Sequence, residues 1–398
     1  MTNLSGLKVL VSGAGPAGLT MAACLAARGC RPVLIERASA ARTTGYGIDI
    51  HENGWDVAAR LGVLDAVRAA GMALGPLCYH DLDGRPILRR NGALLVQAAR
   101  GKLVVLGRDR LVGILEDHLA RVHHLAPERG RCIAGLEQDR DGVTIQFEDG
   151  DSGRWDLVIA ADGIRSRTRD LAFGSMAAGA VRPLGYAVAA WHAPGLTVPE
   201  NGFAGFMGVG RQALFYATEP GRTAALFCWR TDDRPPRDPA VLVPMLRRLF
   251  LEEATAAPVI RSALDGRVDW SRAHVDQVAQ SVMPSWSTGR VVLLGDAAHC
   301  GSFLSGQGTS MAMAGGWLLA RELAGRASIG DAAAGYEARL RPVVERLQRA
   351  ARRVGPHYLP ASRRALLLRR LLLPVLTSGP LFALESRGLM PRSLITDG

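Results

Sequence analysis

The sequence predicts an α/β fold in which a domain built on a parallel sheet is interrupted by a β-rich insertion and finished by C-terminal helices. Three observations predict it. A glycine-rich turn joins a short apolar strand to a helix within "VLVSGAGPAGLT" at 9–20. From about 178 to 284 the texture becomes strand-like and rich in aromatics. An apolar strand then returns in "GRVVLLGDA" at 289–297, and helical sequence follows it. Strands alternating with helices build parallel sheets, whereas a run of strands builds a separate layer.

In chain order, "LKVLVSGAGPAGLTMAACLAARGCRPVLIER" (7–37) reads as strand, tight turn, helix and strand. Val9–Ser12 is apolar almost throughout, as expected when both faces of a sheet are covered. Pro16 suits a first helical turn, Gly29 a stop, and "PVLIE" the second strand of a βαβ unit. "GYGIDIH" (45–51) is a further strand. The stretch 76–107 alternates and contains the turn "DLDG" (Asp81 to Gly84), which predicts a hairpin excursion. A helix over 107–122, short strands around 141–151 and a buried strand ending in Asp-Gly at 155–163 come next. In the insertion, "GYAVAAWHA", "GFAGFMGVG", "QALFYATE" and "TAALFCWR" read as strands. They carry Trp191, Phe203, Phe206, Phe215, Tyr216, Phe227 and Trp229. The predicted division is therefore 1–75, 100–177 and 285–398 for the first domain with its C-terminal helices, and 76–99 with 178–284 for the second. Near the end, "SRRALLLRRLLLPVL" (362–376) predicts a basic amphipathic helix, for which packing between the domains is preferred over membrane contact.

Composition narrows the class. The 398 residues are 48% hydrophobic, ample for a large core or two smaller ones. The net charge is +11, carried by 46 arginines and only two lysines, Lys8 and Lys102. The arginines are dispersed and lack interleaved aromatics, so biased codon usage is preferred over a nucleic-acid surface. Six cysteines show no CxxC pair and no metal-like spacing, which predicts no metal site, no disulfide framework and a reducing cytoplasm. The chain enters its first strand almost at once, so no signal peptide is expected. The apolar run "LLLPVLTSGPLFAL" (371–384) is too short to span a bilayer and holds two prolines, so a soluble protein without stable membrane insertion is expected.

Gly13-Ala14-Gly15-Pro16-Ala17-Gly18 fits G-x-G-x-x-G. Gly13 permits the turn, Gly15 lets the backbone approach a pyrophosphate, and Gly18 lets helix and strand pack closely. Phosphates would meet the free amides at the helix start, and Glu36, ending the second strand, is placed for a ribose. The motif indicates a dinucleotide without separating NAD from FAD. Asp162-Gly163 in "ADGIRSRTR" (161–169) is, taken alone, as readily a plain turn as a binding loop. Asp296 ends a continuous apolar strand, where a carboxylate needs a partner such as a polyol. Gly306 and Gly308 bracket Gln307 just before a helical run, where bare amides would suit an electron-rich flavin edge. The two distant glycine loops thus read as holders for opposite ends of one long cofactor.

Together these motifs resemble the class A FAD-dependent aromatic hydroxylases, the p-hydroxybenzoate hydroxylase-like flavoprotein monooxygenase family. The fingerprints follow in family order: G-x-G-x-x-G (13–18) with Glu36, R-x-x-L (Arg108 to Leu111), A-D-G-x-x-S-x-x-R (Ala161 to Arg169), then G-D-A-A-H and G-Q-G. The resemblance implies a Rossmann-like FAD-binding domain of glutathione reductase type with an inserted β-sheet substrate domain. It implies Glu36, with Arg37 beside it, at the adenosine ribose, Arg108 near the phosphates, and Asp296 at the ribityl chain. Asp162-Gly163 would lie where FAD and NAD(P)H share contacts, and Gly306 to Gly308 would line the isoalloxazine. Arg42 and Gly45 resemble the family's early flavin-contacting segment. One departure is Phe303, which stands where members commonly carry proline.

The implied activity is oxygenation of an aromatic or polyketide-like small molecule, as in natural-product tailoring, by a two-domain enzyme that is a monomer or homodimer. NAD(P)H would reduce non-covalent FAD transiently. Oxygen would then add at C(4a), and the hydroperoxide would pass one oxygen atom to the substrate. No second G-x-G-x-x-G in strand–helix context serves NAD(P)H, since "GFMGVG" (205–210) lies between strands. Epoxidation, Baeyer–Villiger oxygenation and dehydrogenation are alternatives, and Phe303 keeps open a non-oxygenating FAD-binding accessory protein. A halogenase is disfavoured because "AAWHAPG" (189–195) does not match W-x-W-x-I-P. The strands of 186–229 are the expected pocket floor, although core packing accounts for some of their aromatics equally well. His51 and Tyr216 are candidates to face substrate, His299 is expected to pack rather than act as a base, and Cys300 to be a small buried hydrophobe.

Overall fold

A computed structural model describes residues 4–40, 46–72, 74–196, 198, 202–219, 221–251, 257–266, 268–376 and 393–395. The fold is mixed α/β. Its first sheet has six strands in the order Ser287–Thr288, Val291–Leu293, Leu157–Ala160, Val9–Ser12, Val33–Glu36, Glu128–Arg129, all parallel except the first. The central strand shows why the sequence there is apolar without alternation. Val9 and Val11 pack with Leu19, Leu111 and Leu319 on the helical face, whereas Leu10 packs with Ile145 and Phe147 on the other. That second cover is a three-stranded antiparallel sheet, Ile133–Gln138, Val143–Phe147 and Ser152–Trp155. Helices Pro16–Ala26, Arg108–His123 and Gly308–Gly325 form the helical layer.

The second sheet has seven strands: His274–Ser281, Val181–His192, Arg222–Arg230, Arg211–Glu219, Phe203–Gly208, Leu77–Asp81 and Pro86–Arg90. It is antiparallel except between Phe203–Gly208 and Leu77–Asp81. Its side chains divide by period two. Trp191, Phe215, Phe227 and Trp229 point behind the sheet into a core with Leu246, Phe250 and Ile260. Val188, Ala190, Leu214, Tyr216 and Leu226, one residue out of phase, point the other way into a cavity. The aromatics of the insertion are therefore mostly core, and the pocket floor is mainly aliphatic.

Three features were not foreseen. The insertion contains helices Pro239–Leu251 and Pro258–Asp265, which cover the aromatic face. Beyond the predicted hairpin, 76–107 holds a short helix, Ala93–Ala98, and Leu103–Gly107, which pairs antiparallel with Gly47–His51 instead. The C-terminal helix forms as Arg363–Leu376, but four of its leucines, Leu367, Leu368, Leu371 and Leu372, face outward.

Candidate active site

The first glycine turn is shaped by sterics. Gly13 has φ +109°, donates to the Ile35 carbonyl at 2.8 Å, and a Cβ on it would lie 2.4 Å from the Ala161 oxygen. A Cβ on Gly18 would lie 1.8 Å from the Gly13 oxygen. Gly15 differs: the nearest atom to its Cβ position is Arg108 Nη2 at 3.8 Å, so nothing in the protein demands glycine there. Gly15 is also the N-cap of Pro16–Ala26, with no side chain capping it. Glu36 accepts from Ala14 N at 3.0 Å and Ala38 N at 2.9 Å, one bond to each oxygen. Gly13, Gly15 and Glu36, with Arg37, Arg108 and Gly163, line a polar cleft of about 200 Å³.

Asp162 borders the same cleft, but its carboxylate is spent on its own loop. It accepts from Thr168 N at 3.0 Å, from Thr168 Oγ1 at 2.9 Å and from Ser166 Oγ. Ser166 in turn accepts from Arg169 N at 2.9 Å, capping Arg167–Phe173. Arg169, to which the sequence assigned no role, is buried and donates to Ile164 O at 3.0 Å and Ala297 O at 3.1 Å. It fastens this loop to the backbone beside Asp296.

Arg108 also borders a second, larger cavity of about 620 Å³. The sheet residues Leu214, Tyr216 and Leu226 line it, as do Asp296, Gly306 and Gly308. Asp296 is exposed to the cavity, yet desolvation by the protein around it pushes its carboxyl above the usual carboxylate range, opposed by the Cys300 thiol that hydrogen-bonds to it and by Arg108. Cys300 therefore does more than fill space. Gly306 is left-handed, with φ +62°, and Gly308–Gly325 starts after Gln307 with no side-chain cap. Two helix starts without capping side chains thus border the two cavities, and such amides are ready anion sites.

His51 does not line the cavity. Its Nε2 lies 2.8 Å from the Gly306 carbonyl and its backbone N–H donates to Ser310 Oγ at 3.0 Å, so it braces the turn instead of facing substrate. Tyr216 does line it, with its hydroxyl accepting from Gly47 N at 3.2 Å. Phe303 is 37% exposed on the cavity wall, edge-on to Tyr358. It follows Ser302, whose φ of +73° is a strained value for a residue with a Cβ. His299 is buried against Trp286, and burial pushes it down to about 4, so it packs as a neutral ring. Arg42 and Gly45 lie outside the described residues. Asp49, missed in the sequence, lines the cavity with its Oδ2 3.9 Å from where a Gly306 Cβ would stand. Among the described residues no cluster suited to a metal ion occurs, and no helix is long and apolar enough to cross a membrane.

The site fits FAD. A polar cleft with an open glycine and the Glu36 carboxylate shares Arg108 with an apolar chamber edged by Asp296 and a second bare helix start. Residues 6–351 match the family model described as FAD binding domain. A flavin-dependent monooxygenase from an unknown prokaryotic organism is 31% identical over 342 residues, 85% of this chain and 86% of that one. The 2-heptyl-3-hydroxy-4(1H)-quinolone synthase of Mycobacteroides abscessus is 32% identical, covering 86% and 88%. The solved structure of tetracycline destructase Tet(55) matches with a TM-score of 0.80 and 27% identity over 99% of both chains. The chain belongs to this family of class A flavoprotein monooxygenases and is an FAD-dependent monooxygenase. The accessory-protein alternative is thereby set aside.

Proposed function

We propose, for this member of the flavoprotein monooxygenases, that NAD(P)H supplies the electrons and that one oxygen atom enters an aromatic or polyketide-like small molecule. The observation that carries this reading is that Arg108 lines both cavities, the polar one at the first glycine turn and the larger one at the second. One length of ligand spans glycine turn to glycine turn, and the far end opens on an aliphatic sheet floor wide enough for a flat substrate. In this reading Gly13, Gly15, Pro16, Ala17 and Gly18 receive the pyrophosphate. Glu36 and Arg37 hold the adenosine end, Arg108 lies by the phosphates, and Gly163 borders the adenine side. Asp296 accepts from the ribityl hydroxyls, while Gly306, Gln307 and Gly308 offer amides to the isoalloxazine. Asp162 acts indirectly, through its loop. Bound FAD would supply oxygen activation at its C(4a) position; the protein holds the substrate ring, excludes water and supplies hydrogen-bond partners.

The sheet order supports a division into an FAD domain (1–75, 100–177, 285–398) and a substrate domain (76–99, 178–284), because Leu77–Asp81 and Pro86–Arg90 join the seven-stranded sheet. The relatives' names point to fused or hydroxylated aromatic rings as the substrate class. The test is NAD(P)H oxidation by the FAD-loaded protein against a panel of hydroxylated aromatic and polyketide compounds under isotopically labelled dioxygen. Oxidation that quickens with a panel member and puts one labelled atom into its product is expected. Faster oxidation with an unlabelled, dehydrogenated product would replace this reading with dehydrogenation.

A further inference from the structure

The Arg363–Leu376 helix has its polarity inside out. Its central arginines turn inward. Arg369 donates to Gln212 Oε1 at 3.1 Å and to the Tyr358 carbonyl at 2.5 Å, and Arg370 lies 3.9 Å from Asp81. Four of its leucines turn outward: Leu367 is 58% exposed, Leu368 57%, Leu371 65% and Leu372 42%, whereas Leu366 is buried. At 100° per residue these four fall along one stripe of the helix. They are four of the ten large apolar side chains exposed among the described residues, gathered on a single helix. A cluster of that kind marks a surface that something covers.

Charge decides what covers it. The helix holds four arginines and no aspartate or glutamate, and with Arg369 and Arg370 turned inward two of the four remain for its surface. Arg363 and Arg364 are exposed at the start of the helix. A second copy of the chain meeting this face would set two basic stretches against each other, which costs affinity. An anionic lipid surface suits both features, since acyl chains take the leucines and headgroup phosphates take the arginines. We propose that the outward face of this helix docks the protein on an anionic membrane surface, lying in the interface without crossing it. The helix is long enough for this, its fourteen residues giving about 21 Å of interfacial length. Its inner side meets the large cavity through Leu373, and Arg90 donates to the Pro374 carbonyl at 3.1 Å. The docking face and the cavity wall are therefore two sides of one element.

Flotation of the FAD-loaded full chain tests this, using vesicles of phosphatidylcholine mixed with phosphatidylglycerol beside vesicles of phosphatidylcholine alone. The protein is expected to float with the mixed vesicles, to stay behind with the neutral ones, and to be released by salt. Combining Leu367→Glu with Leu371→Glu should weaken flotation at least about tenfold, with FAD content reporting that the variant is folded. If that variant loses its FAD, Arg363→Glu with Arg364→Glu decides instead: lost flotation supports docking, and retained flotation overturns it. Wild-type protein that never floats with the mixed vesicles overturns the proposal, as does undiminished flotation of the folded leucine variant. A dimer that the leucine variant dissolves, with no vesicle binding, would assign the face to a second copy and also overturn it.

Discussion

Asp49 and Asp296 both border the large cavity, and desolvation pushes both carboxyls above the usual carboxylate range, with His51 opposing the shift at Asp49. For a carboxyl raised in the folded state the sign is fixed. Below the ordinary carboxylate pKa both states are protonated and there is no penalty; as pH rises, the unfolded state ionises first and stability is lost. The penalty is complete once pH passes the folded pKa. Asp49→Asn should therefore melt above the wild type at pH 7 without FAD, and the difference should vanish below about pH 4. A melting difference that does not depend on pH would show that the charge is not the cause. Little of this was legible in "GYGIDIH", where Asp49 occupies an ordinary polar position in an alternating strand. Its meaning comes from Gly306, far away in the chain, and no local pattern encodes that proximity.

At the scale of elements, the two helix starts separate structural glycines from ligand glycines. Gly18 sits against the Gly13 carbonyl, so Gly18→Ala should lower the melting temperature, with a cost of about 1–3 kcal/mol from overpacking. Gly15 has φ −82° and open space at its Cβ position. Gly15→Ala should leave the FAD-free melting temperature unchanged or slightly higher, because the unfolded chain loses freedom. It should nevertheless weaken FAD binding, since the methyl enters the pyrophosphate's space. Melts with and without FAD, beside an FAD titration, read both variants; equal loss of stability in the two would remove the distinction. The motif alone fixed the turn, because a βαβ unit with glycines at this spacing has few other uses. The division of the insertion's aromatics was harder to read. Alternation separates Phe215 from Tyr216 and Leu226 from Phe227, but only the covering helices Pro239–Leu251 and Pro258–Asp265 decide which set is core. The same limit applies to Arg363–Leu376, whose spacing is equally consistent with either face turned inward.

Across the whole molecule, the cofactor site is assembled from segments that share no element. The polar cleft draws on residues near 13–37 and 161–168, and the large cavity on 46–49, 214–226 and 296–309. Arg169 ties two of these segments together through the Ala297 carbonyl, and Tyr216 ties the seven-stranded sheet to Gly47. A ligand that touches all of them binds only the folded chain, so FAD should stabilise the protein by mass action. At a free concentration about a hundred times its Kd the gain is about 2.7 kcal/mol. Asp296→Ala tests whether the ribityl assignment contributes to that gain. The substitution removes a carboxyl that opens onto the cavity and that the surrounding protein holds above its usual range, so the FAD-free protein should melt no lower than the wild type at neutral pH. The rise in melting temperature on adding FAD should then shrink, and the FAD retained through gel filtration should fall with it. A full rise with unchanged retention would mean that Asp296 does not hold the cofactor. A lower FAD-free melting temperature would mean instead that its bond with Cys300 is a structural tie, and the carboxyl at the end of this strand would belong to the fold before it belonged to the ligand.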